Sequence, residues 1–154
     1  MTKTIRSVQD LIDRARATVP ALTPGDARRR LDDPDTVFVD LRDSAEIAAD
    51  GTVPGAIHMP RGNLEFWIDP ASFYFKRIFG SGKSFVFFCA ADLRSTLAAA
   101  TARDMGLEKV SHIAGGFHAW RDAGGPVAAT ARTAAEASAV TAPTVSLTRA
   151  SDKP

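Results

Sequence analysis

Cysteine and histidine are scarce in this sequence of 154 residues, which has one cysteine and three histidines. A single cysteine excludes a disulfide within the chain, and so few thiol and imidazole groups do not supply the several ligands of a zinc-finger site. We therefore expect no bound metal and no cofactor. Cys89 stands alone, so any chemistry that it performs has to proceed without a second thiol from the same chain.

The sequence also lacks an excess of charge and a long apolar run. Its 19 Lys and Arg residues against 18 Asp and Glu give a formal net charge of +1, which offers no general attraction to nucleic acid or anionic lipid. No stretch approaches the roughly 18 apolar residues of a membrane span, and residues 1–9 contain no apolar segment of signal-peptide length. We expect neither a nucleic-acid nor a membrane partner, and a reducing, cytoplasmic setting.

What the chain does have is the composition of one globular domain, with 45% hydrophobic and 24% charged residues. We divide it into N-terminal helices packed on the domain (1–34), the domain proper (35–127) and a C-terminal tail (128–154). The tail has no aromatic residue and is rich in Ala, Ser and Thr, so it is predicted to bury little apolar area and to be mobile. The alternative is a short helix over residues 134–140 that lies on the domain.

Two helix-start signals precede the first strand. Ser7 followed by Asp10 resembles a capping box, and apolar residues at helical spacing then predict a helix over about residues 8–18. Thr23 repeats the signal and predicts a second short helix that ends near Asp33.

Short apolar runs alternate with helical patterns along the rest of the chain. Strands are predicted at residues 37–41, 56–59, 84–89 and 110–113, and helices at 44–49, after Cys89 and after Gly115-Gly116. Between residues 61 and 82 the aromatic residues show no clear period, and we expect one short helix and an irregular loop. The alternation predicts an α/β fold of three layers, with a central, mostly parallel sheet, helices on both faces, and ligands outside the carboxyl ends of the strands.

The most informative segment is the cysteine loop, residues 89–95, where a buried strand turns directly into a helix. Amide groups of such a loop and helix start point at the sulfur of Cys89, and Arg94 adds a positive charge, so the arrangement favours thiolate over thiol. A lone cysteine in an apolar run is otherwise an inert core residue. The small residues Ala90 and Ala91 and the helix start after them favour a nucleophile instead.

Three motifs in this order resemble the rhodanese family. They are a cysteine followed by four residues, an arginine and a serine (residues 89–95); Asp40-Leu41-Arg42 with Glu46 and the Gly- and Pro-rich stretch 51–60; and residues 115–120 with Gly125-Pro126. Each motif alone is weak, but the three together around a cysteine at a strand end are specific. The resemblance spans about residues 35–127.

The resemblance implies a single-domain sulfurtransferase that needs no cofactor. In that reaction the Cys89 thiolate takes a sulfur atom from a small anionic donor such as thiosulfate, and the persulfide passes it to an external acceptor: cyanide, a small thiol or a protein thiol. The catalytic residues implied are Cys89 and Arg94. The substrate-binding residues implied are Arg42, Ala90, Ala91, Asp92, Leu93 and Ser95.

Several of these residues have alternative interpretations. Arg42 could instead pair with Asp43 or Glu46 at the surface, and Asp40 and Glu46 are expected to be structural acids. Asp92 stands where many family loops have glycine. Its carboxylate would repel an anionic donor if it faced the loop interior, and would be harmless if it capped a helix on the outside.

Two rival functions remain at this point. The first is a phosphatase, because the cysteine loop resembles that of phosphatases of related fold. In their pattern five residues separate the cysteine from the arginine, whereas this chain has four. A non-enzymatic binding module is the other rival, with the tail or the aromatic stretch 66–79 as a docking surface. Because this chain has both Cys89 and Arg94, we favour the enzyme over the binding module.

Overall fold

The computed structural model describes residues 4–141. Its helices are α1 (Val8–Thr18), α2 (Pro24–Arg28), α3 (Ser44–Asp50), α4 (Leu64–Ile68), α5 (Leu93–Asp104), α6 (Gly116–Asp122) and α7 (Ala134–Thr141). Its strands are β1 (Ala21–Leu22), β2 (Thr36–Asp40), β3 (Ile57–His58), β4 (Ser84–Phe88) and β5 (Val110–Ile113). Short 3-10 turns occupy Arg61–Asn63 and Arg77–Gly80. No helix among the described residues is both long and apolar enough to cross a membrane.

The strands form one sheet in the order β1-β5-β4-β2-β3, and every neighbouring pair is parallel. This confirms the predicted α/β fold with a central parallel sheet. β4 is the middle strand, and Cys89 is the first residue after it. Because parallel strands all end at one edge, that edge collects the residues that follow β2, β3 and β4.

The sheet is buried on both faces, which explains why its central strands are continuous apolar runs. Side chains of β2 and β4 alternate between two hydrophobic clusters. One cluster joins Val37, Val39, Phe85 and Phe87 to residues of α4, α5 and α7. The other joins Phe38, Val86 and Phe88 to residues of α2 and α6. The layers thus position the end of β4 between α5 on one face and α6 on the other.

The predicted caps are present. The Ser7 hydroxyl accepts the Asp10 amide at 3.0 Å, and the Thr23 hydroxyl accepts the Asp26 amide at 3.1 Å. The second helix ends at Arg28, sooner than predicted. Residues 61–82 hold the expected short helix, together with the two 3-10 turns.

Residues 128–141 correct the expectation of a mobile tail. Ala128 exchanges two backbone hydrogen bonds of 2.8 Å with Thr52, and Arg132 bonds to the backbone of Ala56 and His58. Ala134 and, one turn later, Ala137 are both buried in the larger core cluster. Side chains as small as alanine allow α7 to approach the domain closely, so the alternative of a helix lying on the domain is the one observed. Residues 142–154 of the predicted tail lie outside the described residues.

Candidate active site

Cys89 lies buried at the carboxyl end of the central strand, with 1% of its surface exposed. Its Sγ accepts the backbone amide of Asp92 at 3.3 Å and lies 3.5 Å from the Ser95 hydroxyl, to which the thiol donates. The Ser95 hydroxyl donates in turn to the Asp92 carbonyl at 3.1 Å. The strand, the loop and the first turn of α5 therefore all meet at the sulfur, as the sequence predicted for residues 89–95.

The other predicted loop residues differ in exposure. Ala91 and Leu93 are exposed and Ala90 is half-buried, so the rim of the loop presents small and apolar side chains to solvent. Ser95 is fully buried below the loop. The two charged side chains of the loop, Asp92 and Arg94, are each paired, as described below.

The start of α6 holds the cysteine loop from the other side, a relation that the sequence did not reveal. The Phe117 amide donates to the Cys89 carbonyl at 2.8 Å, and the His118 amide donates to the Ala90 carbonyl at 3.0 Å. Gly116 makes this approach possible, because an added Cβ would lie 2.6 Å from each of these two carbonyl oxygens. The closing motif of the sequence thus braces the loop.

Asp92 adopts the left-handed conformation, with φ of 103°. Its carboxylate turns away from Cys89: Oδ2 accepts the Gly115 amide at 2.7 Å, and Oδ1 lies 3.4 Å from a guanidinium nitrogen of Arg16. Of the two orientations considered for Asp92, the structure has the outward one, but the carboxylate makes no cap bond to α5 and accepts instead from the residue before α6. The backbone amide of Asp92 is thereby left to face the sulfur.

Arg94 forms a two-pronged ion pair with Glu46, at 3.0 and 2.9 Å. The pair confirms the expectation that Glu46 is a structural acid. Arg94 and the amide of Asp43 hold the pKa of Glu46 at about 2, despite partial desolvation. Glu46 in turn raises the pKa of Arg94, and the nearby Cys89 contributes in the same direction. Arg94 is therefore a cation beside the sulfur whose orientation a carboxylate fixes.

The Glu46 pair should give the protein an acid-sensitive element. Since folding lowers the pKa of Glu46 from 4.5 to about 2, its stabilisation is complete above about pH 4.5 and is lost as the pH falls toward 2. We expect Glu46→Gln to reduce the loss of thermal midpoint between pH 5 and 2.5, measured by circular dichroism. Glu108→Gln, at an exposed glutamate that lies outside the helices and strands, is the matched control. If the thermal midpoint falls as much between pH 5 and 2.5 in Glu46→Gln as in the wild-type protein, Glu46 is not the acid-sensitive element.

Arg42 does not reach solvent in this structure. Its side chain has no exposed surface, and its guanidinium donates to Asp40 at 3.0 and 2.7 Å and to the Gly51 carbonyl at 2.6 Å. The Phe117 ring lies 4.4 Å from the guanidinium carbon. The alternative of surface pairing with Asp43 or Glu46 is thus wrong, because Arg42 is buried against Asp40. The substrate contact that the resemblance implies for Arg42 stays a prediction.

Two residues at the site were not singled out by the sequence. Arg16 comes from α1, and His112 comes from β5, where it pairs in register with Phe87 of β4. His112 is buried, and its Nδ1 has no hydrogen-bond partner among the described residues. Burial lowers the pKa of His112, while Asp92 raises it and Arg16 lowers it. Burial therefore disfavours the charged imidazolium at this position.

The fold and this edge define a class: a parallel sheet covered by helices on both faces, with a cysteine after its middle strand at the start of a loop whose Asp92 amide donates to the sulfur. A sequence model of the Rhodanese-like domain family matches residues 23–123. The chain belongs to the Rhodanese-like domain family.

Relatives cover most of this chain. A solved structure of a Rhodopseudomonas palustris protein of unknown function, described as a possible tyrosine phosphatase, is 52% identical with a TM-score of 0.79, over 83% of this chain and 99% of that one. A mouse thiosulfate sulfurtransferase/rhodanese-like domain-containing protein 3 is 28% identical, over 68% of this chain and 69% of its own. Human thiosulfate:glutathione sulfurtransferase is 31% identical, over 50% of this chain and 72% of its own. The family and the mouse and human relatives support a sulfurtransferase type of function.

Proposed function

We propose that this protein is a sulfurtransferase that carries a sulfane sulfur as a persulfide on Cys89. The observation that carries the proposal is the environment of Sγ, which has a backbone amide at 3.3 Å and a hydroxyl at 3.5 Å at the start of a helix. The Asp92 amide is a donor fixed by the loop, and such a donor stabilises an anionic sulfur without reorganisation. An inert core cysteine would not need this donor.

In the first step the Cys89 thiolate attacks the outer sulfur of a donor such as thiosulfate. A new S–S bond forms, the S–S bond of the donor breaks, and sulfite leaves with the bonding electron pair, so that one anionic sulfur replaces another on the enzyme. The Asp92 amide faces the sulfur, and rotation of the Ser95 hydroxyl away from the Asp92 carbonyl would let it donate to the thiolate. Arg94 adds a positive charge beside the reacting atoms.

In the second step an external thiophile removes the terminal sulfur. Cyanide attacks the outer sulfur and leaves as thiocyanate, or a thiolate attacks it and leaves as a new persulfide. In both cases the S–S bond to Cys89 breaks and the Cys89 thiolate is regenerated. The acceptor has to come from outside because the chain has no second cysteine. The acceptor class includes cyanide, small thiols and protein thiols.

Intact-protein mass spectrometry tests the proposal directly. Incubation with thiosulfate should add about 32 mass units, one sulfur atom, to Cys89, and later incubation with cyanide should remove it. Glutathione persulfide serves as a second donor. A gain with the persulfide alone supports the sulfur carrier and excludes thiosulfate as donor. No gain with either would overturn the proposal in favour of a binding module.

Phosphate-ester hydrolysis is a second candidate because the relative that is 52% identical is described as a possible tyrosine phosphatase. The cysteine loop speaks against it. Only four residues separate Cys89 from Arg94, one fewer than in the phosphatase pattern that this loop resembles, and Arg94 is paired with Glu46. p-Nitrophenyl phosphate in the same samples distinguishes the two, since turnover of the ester without a mass gain would favour the phosphatase.

A further inference from the structure

Two features of this chain meet at the cysteine loop. The first is Asp92, an acid at a loop position where family loops often have glycine. The second is α1 (Val8–Thr18), which precedes the family match at residues 23–123. Arg16 of α1 lies 3.4 Å from the Asp92 carboxylate, across 76 residues of sequence.

We propose that Arg16 is a specificity-determining residue of the active site, which neutralises Asp92 so that the cysteine loop accepts an anionic sulfur donor. The inference rests on the proposed sulfurtransferase function. Its physical basis is the position of Asp92 in the cysteine loop. The backbone amide of Asp92 contacts the sulfur, and its carboxylate, although turned toward Gly115 and Arg16, is a full charge on that same residue.

Water screens the Asp92 carboxylate poorly. Its side chain is only 16% exposed, so its charge has to be balanced by partners within the protein. One partner is the Gly115 amide at 2.7 Å, which is a dipole and leaves the net charge unchanged. The other is Arg16, whose full positive charge cancels the field that an approaching dianion would meet.

The remaining charges around the loop cannot replace Arg16. Arg94 is engaged with Glu46 through two hydrogen bonds, and Arg42 is buried against Asp40. Burial lowers the pKa of His112, whereas Asp92 raises it and Arg16 lowers it. The charges of Asp92 and Arg16 therefore have opposite electrostatic effects on His112 in β5, the strand beside β4.

The packing of α1 on the domain fixes the position of Arg16. Ile12 and Ala15 of α1 are buried, and α1 packs along α5, the helix that begins at the cysteine loop. Arg16 is four residues after Ile12, so it lies one turn further along the same side of α1. Its own side chain is 49% exposed, which leaves the guanidinium available to an incoming anion as well as to Asp92.

The test is a double-mutant cycle on the full chain, with Arg16→Gln, Asp92→Asn and both together. Steady-state turnover is measured with thiosulfate at low salt, or with glutathione persulfide, also an anion, if thiosulfate is not a donor. We expect Arg16→Gln to raise KM about fivefold with kcat within about twofold, because the unbalanced carboxylate repels the donor before reaction. The increase should shrink as ionic strength rises.

Arg14→Gln is the matched control, since it removes an equal charge from the same helix at a residue that pairs with Asp10 instead. The double variant removes both charges, so its KM should return to within about twofold of the wild-type value. Damage to α1 would persist in the double variant, so a KM there as high as in Arg16→Gln would overturn the inference. An unchanged KM in Arg16→Gln would overturn it as well. If the wild-type protein accepts sulfur from no donor, the proposed function fails first.

Discussion

Cys89→Ser should lower sulfur transfer by at least about 10³-fold while the protein stays folded. A serine hydroxyl is not ionised at neutral pH, so it neither attacks the donor nor carries the sulfur. The fold should tolerate the change because the hydroxyl is nearly isosteric with the thiol and meets the same two partners, the Asp92 amide and the Ser95 hydroxyl. Thiocyanate formation from thiosulfate and cyanide, with a thermal melt of the same sample, measures both effects.

The Cys89→Ala variant separates chemistry from packing. It removes the nucleophile and leaves the Asp92 amide without its acceptor at a buried position, so it should be as inactive as Cys89→Ser and less stable. Sulfur transfer retained by either variant would exclude a persulfide on Cys89. Loss of activity together with loss of the folded baseline in both would show instead that the cysteine acts as a core residue.

The sheet could be predicted because its central strands carry their own signal. β2 and β4 are continuous apolar runs that end at polar or reactive residues, which is the pattern of a strand buried on two faces. The caps at Ser7 and Thr23 are local hydrogen bonds between residues three apart, and local signals survive in a single sequence. Cys89 at the end of β4 follows from the same pattern.

Elements held by tertiary contacts could not be predicted in this way. β1 has two residues, Ala21 and Leu22, too few for any period, and it exists because it pairs with β5. α7 has an alanine-rich sequence with little apolar area per residue, and its docking depends on a surface formed by elements far from it in sequence. Composition alone predicts that such a segment buries little area. Whether it docks depends on the shape of the surface beside it.

The site likewise has a part that local sequence predicts and a part that depends on tertiary contacts. Residues 89–95 could be assigned from the sequence because the loop, the nucleophile and the helix start are consecutive. The partners that orient the charged side chains could not, since Glu46 is 48 residues from Arg94 and Arg16 is 76 residues from Asp92. Arg42 was misjudged for a related reason. A charged residue just after a strand is expected in solvent, but here Asp40, two residues earlier, is buried with it.

Gly116→Ala should destabilise the protein by about 3 kcal/mol, the second large effect that we expect. Gly116 has φ of +65°, where a side chain costs about 1 kcal/mol. Its added Cβ would also lie 2.6 Å from the carbonyl oxygens of Cys89 and Ala90, both of which are backbone atoms held by hydrogen bonds from α6. Relief of that overlap requires either the cysteine loop or α6 to move.

Gly82→Ala is the matched control, because Gly82 has φ of +80° and nothing within 4 Å of an added Cβ. It carries the backbone cost without the overlap, so its thermal midpoint should fall by only about 2–4 °C, against about 10 °C for Gly116→Ala. Since the overlap displaces the carbonyl of Cys89 itself, the folded fraction of Gly116→Ala should also accept sulfur more slowly than Gly82→Ala. Equal midpoints in the two variants would show that α6 is free to shift and does not brace the loop.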